Sequence, residues 1–193
     1  MKKLYIKLAP CILLLAFLTR PAVNTYSQLF NVGDKMINAG IGIGRTYGIG
    51  TFYKTTLPPI FISGDYGFKD DIGPGVLGLG GYLGFSSYKY DVSGIWGSWG
   101  WKYTSIIVGG RGTYHMEFID DLDTYGGLLL GFNIISSKYF GDETWATTSA
   151  SSSGIAYSFF VGGRYFFTDN LGVIAELGYG IAWLSLGITL KLE

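Results

Sequence analysis

The sequence predicts an all-β protein, a single eight-stranded antiparallel up-and-down transmembrane β-barrel. Three observations carry that prediction. Segment after segment alternates bulky apolar residues with glycine and polar ones, from residue 35 to the end of the chain. A period of two is the mark of a strand with one oily and one mixed face. Glycine stands at 31 of 193 residues and aromatics at 17%. Small barrels use both, aromatics at the interfacial girdles and glycine where strands bend or crowd. Finally, no helical window of useful length follows residue 28.

The N-terminus reads as a secretory signal. Met1-Lys2-Lys3 and Lys7 precede an apolar run from Leu8 to Leu18, too short to span a bilayer as a helix. Small residues at −3 and −1 place cleavage after Thr25-Tyr26-Ser27, giving a signal over 1–27 and a mature barrel domain over 28–193 that begins at Gln28. Leu8-Ala9-Pro10-Cys11 loosely resembles a lipobox, but the apolar run continues past Cys11 and almost no h-region precedes it. Cys11 is the only cysteine, so the mature chain has no thiol for a disulfide, nucleophile or metal ligand. Removing Lys2, Lys3, Lys7 and Arg20 leaves 10 basic against 14 acidic residues, a net −4. That balance argues against a nucleic-acid partner, which requires basic density.

Eight strands follow in order. Lys35–Arg45 opens the series; its Gly40-Ile41-Gly42-Ile43-Gly44 invites a nucleotide-loop reading, but no helix follows to meet a phosphate, and Met36 to Gly44 alternates like a strand. Ile60–Phe68, Val76–Tyr90 and Lys102–His115 complete the first half. Thr124–Ser137, Gly154–Phe167, Leu171–Gly180 and Ala182–Leu192 make up the second. In the last strand Leu184, Leu186, Ile188, Leu190 and Leu192 share one side, and Trp183, Ser185, Gly187, Thr189 and Lys191 the other. Eight is an even count, as bacterial single-chain barrels require. Connections alternate in character. Lys69–Gly75, Met116–Asp123 and Thr168–Asn170 are short and acidic and end in turn-forming residues. Thr46–Pro59, Asp91–Trp101 and Lys138–Ser153 are longer and rich in Gly, Ser, Thr and Trp, and Tyr179–Ile181 is tight. Short turns face the periplasm and long loops the exterior.

Side-chain parity follows from cost. An arginine facing lipid costs ~2–4 kcal/mol at the midplane. Arg111 inward carries Ser105, Ile107 and Gly109 inward and turns Ile106, Val108 and Tyr114 out. Arg164 inward sets Phe159, Val161, Tyr165 and Phe167 on lipid, and Glu176 inward does the same for Val173, Ala175, Leu177 and Tyr179. With a three-residue turn at Thr168-Asp169-Asn170, Phe167 pairs with Leu171, which puts Arg164 opposite Ile174 and diagonal to Glu176. Arg111, Arg164 and Glu176 are therefore expected to form a lumen ion cluster, acting as a plug or as an ion-selective constriction. An eight-stranded interior is just wide enough for side chains to fill, which favours the plug. Val108-Gly109-Gly110-Arg111 recurs as Val161-Gly162-Gly163-Arg164, each late in a descending strand.

One stretch carries a family resemblance. Val161-Gly162-Gly163-Arg164-Tyr165-Phe166-Phe167-Thr168-Asp169-Asn170-Leu171-Gly172, followed by Ala175-Glu176-Leu177-Gly178-Tyr179-Gly180, resembles the last hairpin of small OmpA/OmpX-like outer-membrane barrels of the "porin family" type common in Bacteroidetes. The C-terminal Ser185-x-Gly187-x-x-Leu190-x-Leu192 resembles the signal read by the barrel assembly machinery, with Leu in place of the usual final aromatic and Glu193 after it. The resemblance implies an outer-membrane location, outer-membrane lipid and the assembly machinery as partners, and no defined substrate.

Remaining motifs are weighed individually. His115, the only histidine, is the candidate for acid–base chemistry, but it ends a descending strand at the periplasmic end. A barrel enzyme acting on lipid A works at the outer leaflet, so no catalytic residue is assigned and the chain is not expected to be an enzyme. Asp120-Asp121-x-Asp123 lacks the alternation of a calcium loop and reads as a solvated turn; no metal or cofactor is expected. Trp96 and Trp99, within Ile95–Trp101, and Trp145 in the next loop are candidate contacts for an unknown extracellular ligand, since exposed aromatics stack on sugars or anchor proteins. Trp101 reads as part of the outer aromatic girdle. The expected function is that of an integral outer-membrane barrel with a side-chain-filled lumen and a structural or surface-interaction role through its loops. A narrow porin lined by Arg111, Arg164 and Glu176 is the alternative, followed by a lipid A-modifying enzyme. A soluble lipocalin-like barrel, with the opposite polarity, is disfavoured by the signal and the tail.

Overall fold

The computed structural model describes residues 29–45, 53–94, 97–140 and 149–192. The signal, Cys11, Trp96 and Trp145 lie outside them. Eight strands run in chain order: β1 (Lys35–Arg45), β2 (Tyr53–Ile72), β3 (Gly75–Gly94), β4 (Gly97–Ile119), β5 (Leu122–Phe140), β6 (Ser149–Phe166), β7 (Leu171–Tyr179) and β8 (Ala182–Leu192). Each pairs antiparallel with its neighbours, and β1 pairs with β8 to close the barrel. β1 and β8 have the extents read from the sequence. The middle strands run further than expected, because their polar ends continue the ladder into stretches whose composition reads as turn or loop. β2 and β3 meet at Gly73-Pro74, and β4 and β5 at Asp120-Asp121.

Closure at Gly40 and Gly187 depends on the absence of side chains. These residues face each other across the β1–β8 seam, and a Cβ on either would stand 2.2 Å from a carbonyl oxygen of the other strand.

The exterior is apolar in contiguous rows. Leu83, Val108 and Phe132 are cross-strand partners, as are Phe85, Ile106 and Ile134, and all six are exposed. Leu130, Ile155, Val161 and Leu177 are each at least 60% exposed. In water such a continuous belt would forfeit most of the hydrophobic free energy of these side chains; in a bilayer it faces a solvent of its own kind.

The barrel is lopsided. β7 and β8, of 9 and 11 residues, match one bilayer crossing. β2 to β6 hold 18 to 23 residues each. Register places the surplus at the long-loop end: β1 reaches only as far as Ile60 of β2, and β7 only as far as Phe159 of β6. Five strands therefore continue past the rim as a wall. At the low rim Trp183, read from parity as a mixed-face residue, is half exposed and packs edge-on against Tyr179 at 5.4 Å. Gly180, with φ +117, makes the tight turn between these strands.

Asp121 in the β4–β5 turn has φ +63, a left-handed conformation that aspartate adopts more readily than most residues but glycine adopts without a Cβ clash. Its side chain is exposed, and its carbonyl accepts from the Phe166 amide, a bond that glycine keeps. Asp121→Gly is expected to raise the unfolding free energy by about 1 kcal/mol, read as a later urea midpoint in phosphatidylcholine vesicles.

Candidate functional site

The lumen is built by alternation. β4 points Ser105, Ile107, Arg111, Thr113 and His115 inward, while β6 contributes Phe160, Arg164 and Phe166 and β7 Ile174 and Glu176. Arg164 faces Ile174 across the β6–β7 ladder. That pairing is fixed by the turn, where Phe167 and Thr168 both donate to the Leu171 carbonyl and Leu171 donates to Thr168 Oγ1.

Arg111, Arg164 and Glu176 all lie buried in the lumen, but their pairing differs from the diagonal one expected. Glu176 accepts from Arg111 Nη2 at 2.7 Å and from the Tyr125 hydroxyl at 2.7 Å. Arg164 instead pairs with Asp65 and, at 3.1 Å, with Asp123. Its Nε donates to Asn38 Oδ1, which also accepts from Thr189. Asp65 joins the two halves, its Oδ1 lying 3.0 Å from Arg111 Nε. That contact is an ion pair by distance, although the N–H does not point along a hydrogen-bond line. Arg164 turns from its diagonal neighbour because two other carboxylates meet its fork, Asp123 directly opposite it on adjoining β5 and Asp65 on β2 from across the lumen. Cation–π contacts fill what remains: Arg164 lies 4.6 Å from the Tyr125 ring and Arg111 4.5 Å from the Phe160 ring.

Two acids missed by sequence reasoning complete the network. Asp123, grouped with Asp120 and Asp121 as a solvated turn, is buried, whereas its two neighbours are exposed. It opens β5 rather than ending the turn, so its side chain points inward. Asp65 had a usable signal: Phe61, Ser63, Asp65 and Gly67 share one face, and a lone acid on the inner face of a spanning strand requires a cation.

His115 lies deeper than a rim residue. Its Nδ1 faces both Asp123 oxygens, at 2.9 and 3.0 Å, and its Nε2 faces Thr113 Oγ1 at 2.8 Å. The order of groups is that of a hydrolytic triad, but Thr113 is 2% exposed and the Phe30 ring covers His115 at 4.0 Å. Leu29, Phe30, Met116 and Glu117 close round the small space beside His115 and Asp123. Phe30 belongs to an N-terminal segment that seals the short-turn end. Leu29 N–H donates to Glu117, Lys191 donates to the Leu29 carbonyl, and Lys191 pairs with Asp34 at 2.7 Å. Phe30, Met36, Val76 and Phe166 form the apolar floor. Among the described residues no group of three or more His, Cys, Asp or Glu side chains is placed to hold a metal ion.

The tryptophan-rich segment is largely strand. Trp99 and Trp101 lie on β4 at lumen parity, on the inner face of the wall, so Trp101 does not face the lipid girdle. Trp101 packs edge-on against Tyr139 at 5.5 Å, and Tyr88 stacks on Tyr103 at 5.0 Å, with Tyr53 beside Tyr88, Tyr90 and Tyr103. Trp99 is half exposed.

No family model matches the sequence, and no curated protein matches it. Solved structures do. The outer membrane protein OprG from Pseudomonas aeruginosa aligns with a TM-score of 0.52 at 14% identity, over 85% of this chain and 98% of that one. The N-terminal β-barrel domain of OprF from the same organism aligns at 0.47 and 17%, over 83% and 98%, and the neisserial surface protein NspA at 0.45 and 17%, over 82% and 94%. The likeness to OprG shows the fold: this chain has the closed barrel used by outer-membrane proteins.

Breaking the network at its bridge leaves two guanidinium groups short of a carboxylate in the barrel interior. Asp65→Asn is expected to cost ~3–5 kcal/mol, measured by equilibrium urea unfolding in vesicles, whereas Trp99→Ala changes stability by less than ~0.5 kcal/mol.

Proposed function

We propose that the chain is an integral outer-membrane barrel of the OmpA/OmpX-like type, made with a cleaved signal over 1–27, whose lumen is closed and whose work is structural and surface-directed. The observation that carries this reading is the seal. Arg164 is 0% exposed and Arg111 3%, each held by carboxylates from other strands, above a floor plugged by Phe30. An ion crossing the barrel would have to break these pairs and displace the plug. Non-enzymatic character is supported by the burial of His115 and Thr113 beneath that plug. The tail pattern supports insertion by the barrel assembly machinery, and it alone supports a Bacteroidetes-type origin. Interaction with a partner outside the cell falls to the projecting wall, where Trp99 and the tyrosine cluster present aromatic surface.

Planar-bilayer recording of the refolded mature protein tests the reading. Insertion without discrete conductance steps is the expected outcome, for the wild type and for Glu176→Gln alike. Steps whose ion selectivity shifts with Glu176→Gln would replace the plug by a narrow pore with the same residues as its filter.

A further inference from the structure

The outer face of the wall carries a feature that neither the plug nor the aromatic surface uses. Lys54 of β2 pairs in register with Lys89 of β3, Lys89 with Lys102 of β4, and Lys102 with Lys138 of β5. Four lysines thus stand side by side on four adjacent strands, with neighbouring Cα atoms about 4.5–5.5 Å apart. Parity puts them on the lipid-side face. Lys102 alternates with the exposed Ile106 and Val108, and Lys89 lies over the ring of Phe140, which shares its face with Phe132 and Ile134.

Like charges directly opposite each other destabilise a sheet, so the row needs an anionic counterpart. The protein supplies half of one. Asp91 lies 2.8 Å from Lys89 and 3.9 Å from Lys54. Lys102 and Lys138 are both exposed, and among the described residues neither forms an ion pair. Among the described residues, four lysines against one aspartate leave the row at net +3, concentrated on β4 and β5.

Its level in the barrel indicates what neutralises it. Two residues nearer the membrane, Thr104, Ser136 and Ser151 form a hydroxyl row, each paired with the next, while Ser87 opposite Thr104 is buried and donates to the Tyr103 carbonyl. Two residues further lie Phe85, Ile106 and Ile134, the last apolar row. At about 3.3 Å per residue and a tilt near 40°, the lysine Cα atoms stand roughly 10 Å above the apolar edge. A bilayer's polar region is about 5–8 Å thick on each side of its hydrocarbon, and a lysine stem spans the remaining difference by snorkelling. Ammonium groups above a hydroxyl row above hydrocarbon match the polarity profile of a phosphorylated lipid standing against the barrel.

We propose that the Lys54–Lys89–Lys102–Lys138 row is a docking site for the phosphate groups of outer-leaflet lipid, with Lys102 and Lys138 as its open positions. Bound lipid would brace the projecting wall against the membrane on the β2–β5 side. The proposal rests on the membrane reading of the barrel, and the two fail separately.

The test uses the mature protein refolded into brominated phosphatidylcholine vesicles containing either lipid A or lipid A stripped of its phosphates. Insertion is read by heat-modifiable electrophoretic mobility; a protein that does not insert overturns the membrane reading. Lipid preference is read from a tryptophan introduced by Ile106→Trp, on the lipid face of β4 below Lys102, whose quenching is relieved as the added lipid displaces the brominated one. Phosphorylated lipid A is expected to exchange several-fold better than the stripped form, with the preference fading as salt rises. Lys102→Gln with Lys138→Gln should bring the two lipids to near parity, while Lys69→Gln at the opposite end leaves the preference intact. Equal exchange of the two lipids by the wild type, or a preference that survives the double substitution, overturns the site. Lysine-dependent binding of soluble heparin without any lipid preference overturns the assigned occupant in favour of a soluble polyanion.

Discussion

Asp65 holds the interior together. Among the described residues it is the one carboxylate that touches both buried arginines, and so it couples the Arg111–Glu176–Tyr125 group to the Arg164–Asp123–His115 group. Side chains from seven strands enter this network, from Asn38 on β1 to Thr189 on β8. The eighth, β3, contributes space: a Cβ at Gly80 would stand 2.9 Å from Asp65 Oδ1 and closer still to the Gly64 carbonyl. A network closed around the whole circumference resists register slip on any strand, because a shift of one residue would move a charge from this cluster into lipid. Buried ion pairs are weak sources of stability relative to apolar packing. Here they act as a specification of register, set between the apolar cluster of Phe61, Ile107, Leu129 and Phe160 and the apolar floor.

The outside follows the opposite rule. Where the lumen gathers charge, the lipid face excludes it for the height of a bilayer and readmits it in one step, through a hydroxyl row to the lysine row. Both faces derive from one alternation, continued past the membrane on β2 to β6 and ended at the rim on β7, β8 and β1. The projecting wall therefore has two chemically distinct faces, aromatic and hydroxyl-bearing within, cationic without. Tyr88, Tyr103, Trp101 and Tyr139 pack against one another on the inner face, which makes it a firm surface and not a set of loop side chains.

Sequence alone determined everything that alternation and one turn can fix. Strand number, the inward direction of Arg111, Arg164 and Glu176, and the pairing of Arg164 with Ile174 all follow from a period of two and a three-residue connection. Strand ends were less legible, since polar ladder residues such as Ser149–Ser153 have the composition of a loop. Asp123 was misplaced for the same reason, an acid beside two turn acids. Only the tertiary structure decided which carboxylate meets which arginine. Asp123 is Arg164's register partner on the adjoining strand, but Asp65 and Glu176 reach their arginines from strands that do not adjoin, β2 to β6 and β7 to β4, and those meetings depend on how far each strand is staggered when the sheet closes. Stagger is a property of the closed ring, summed over all eight pairings, and a local alternation pattern holds no record of it.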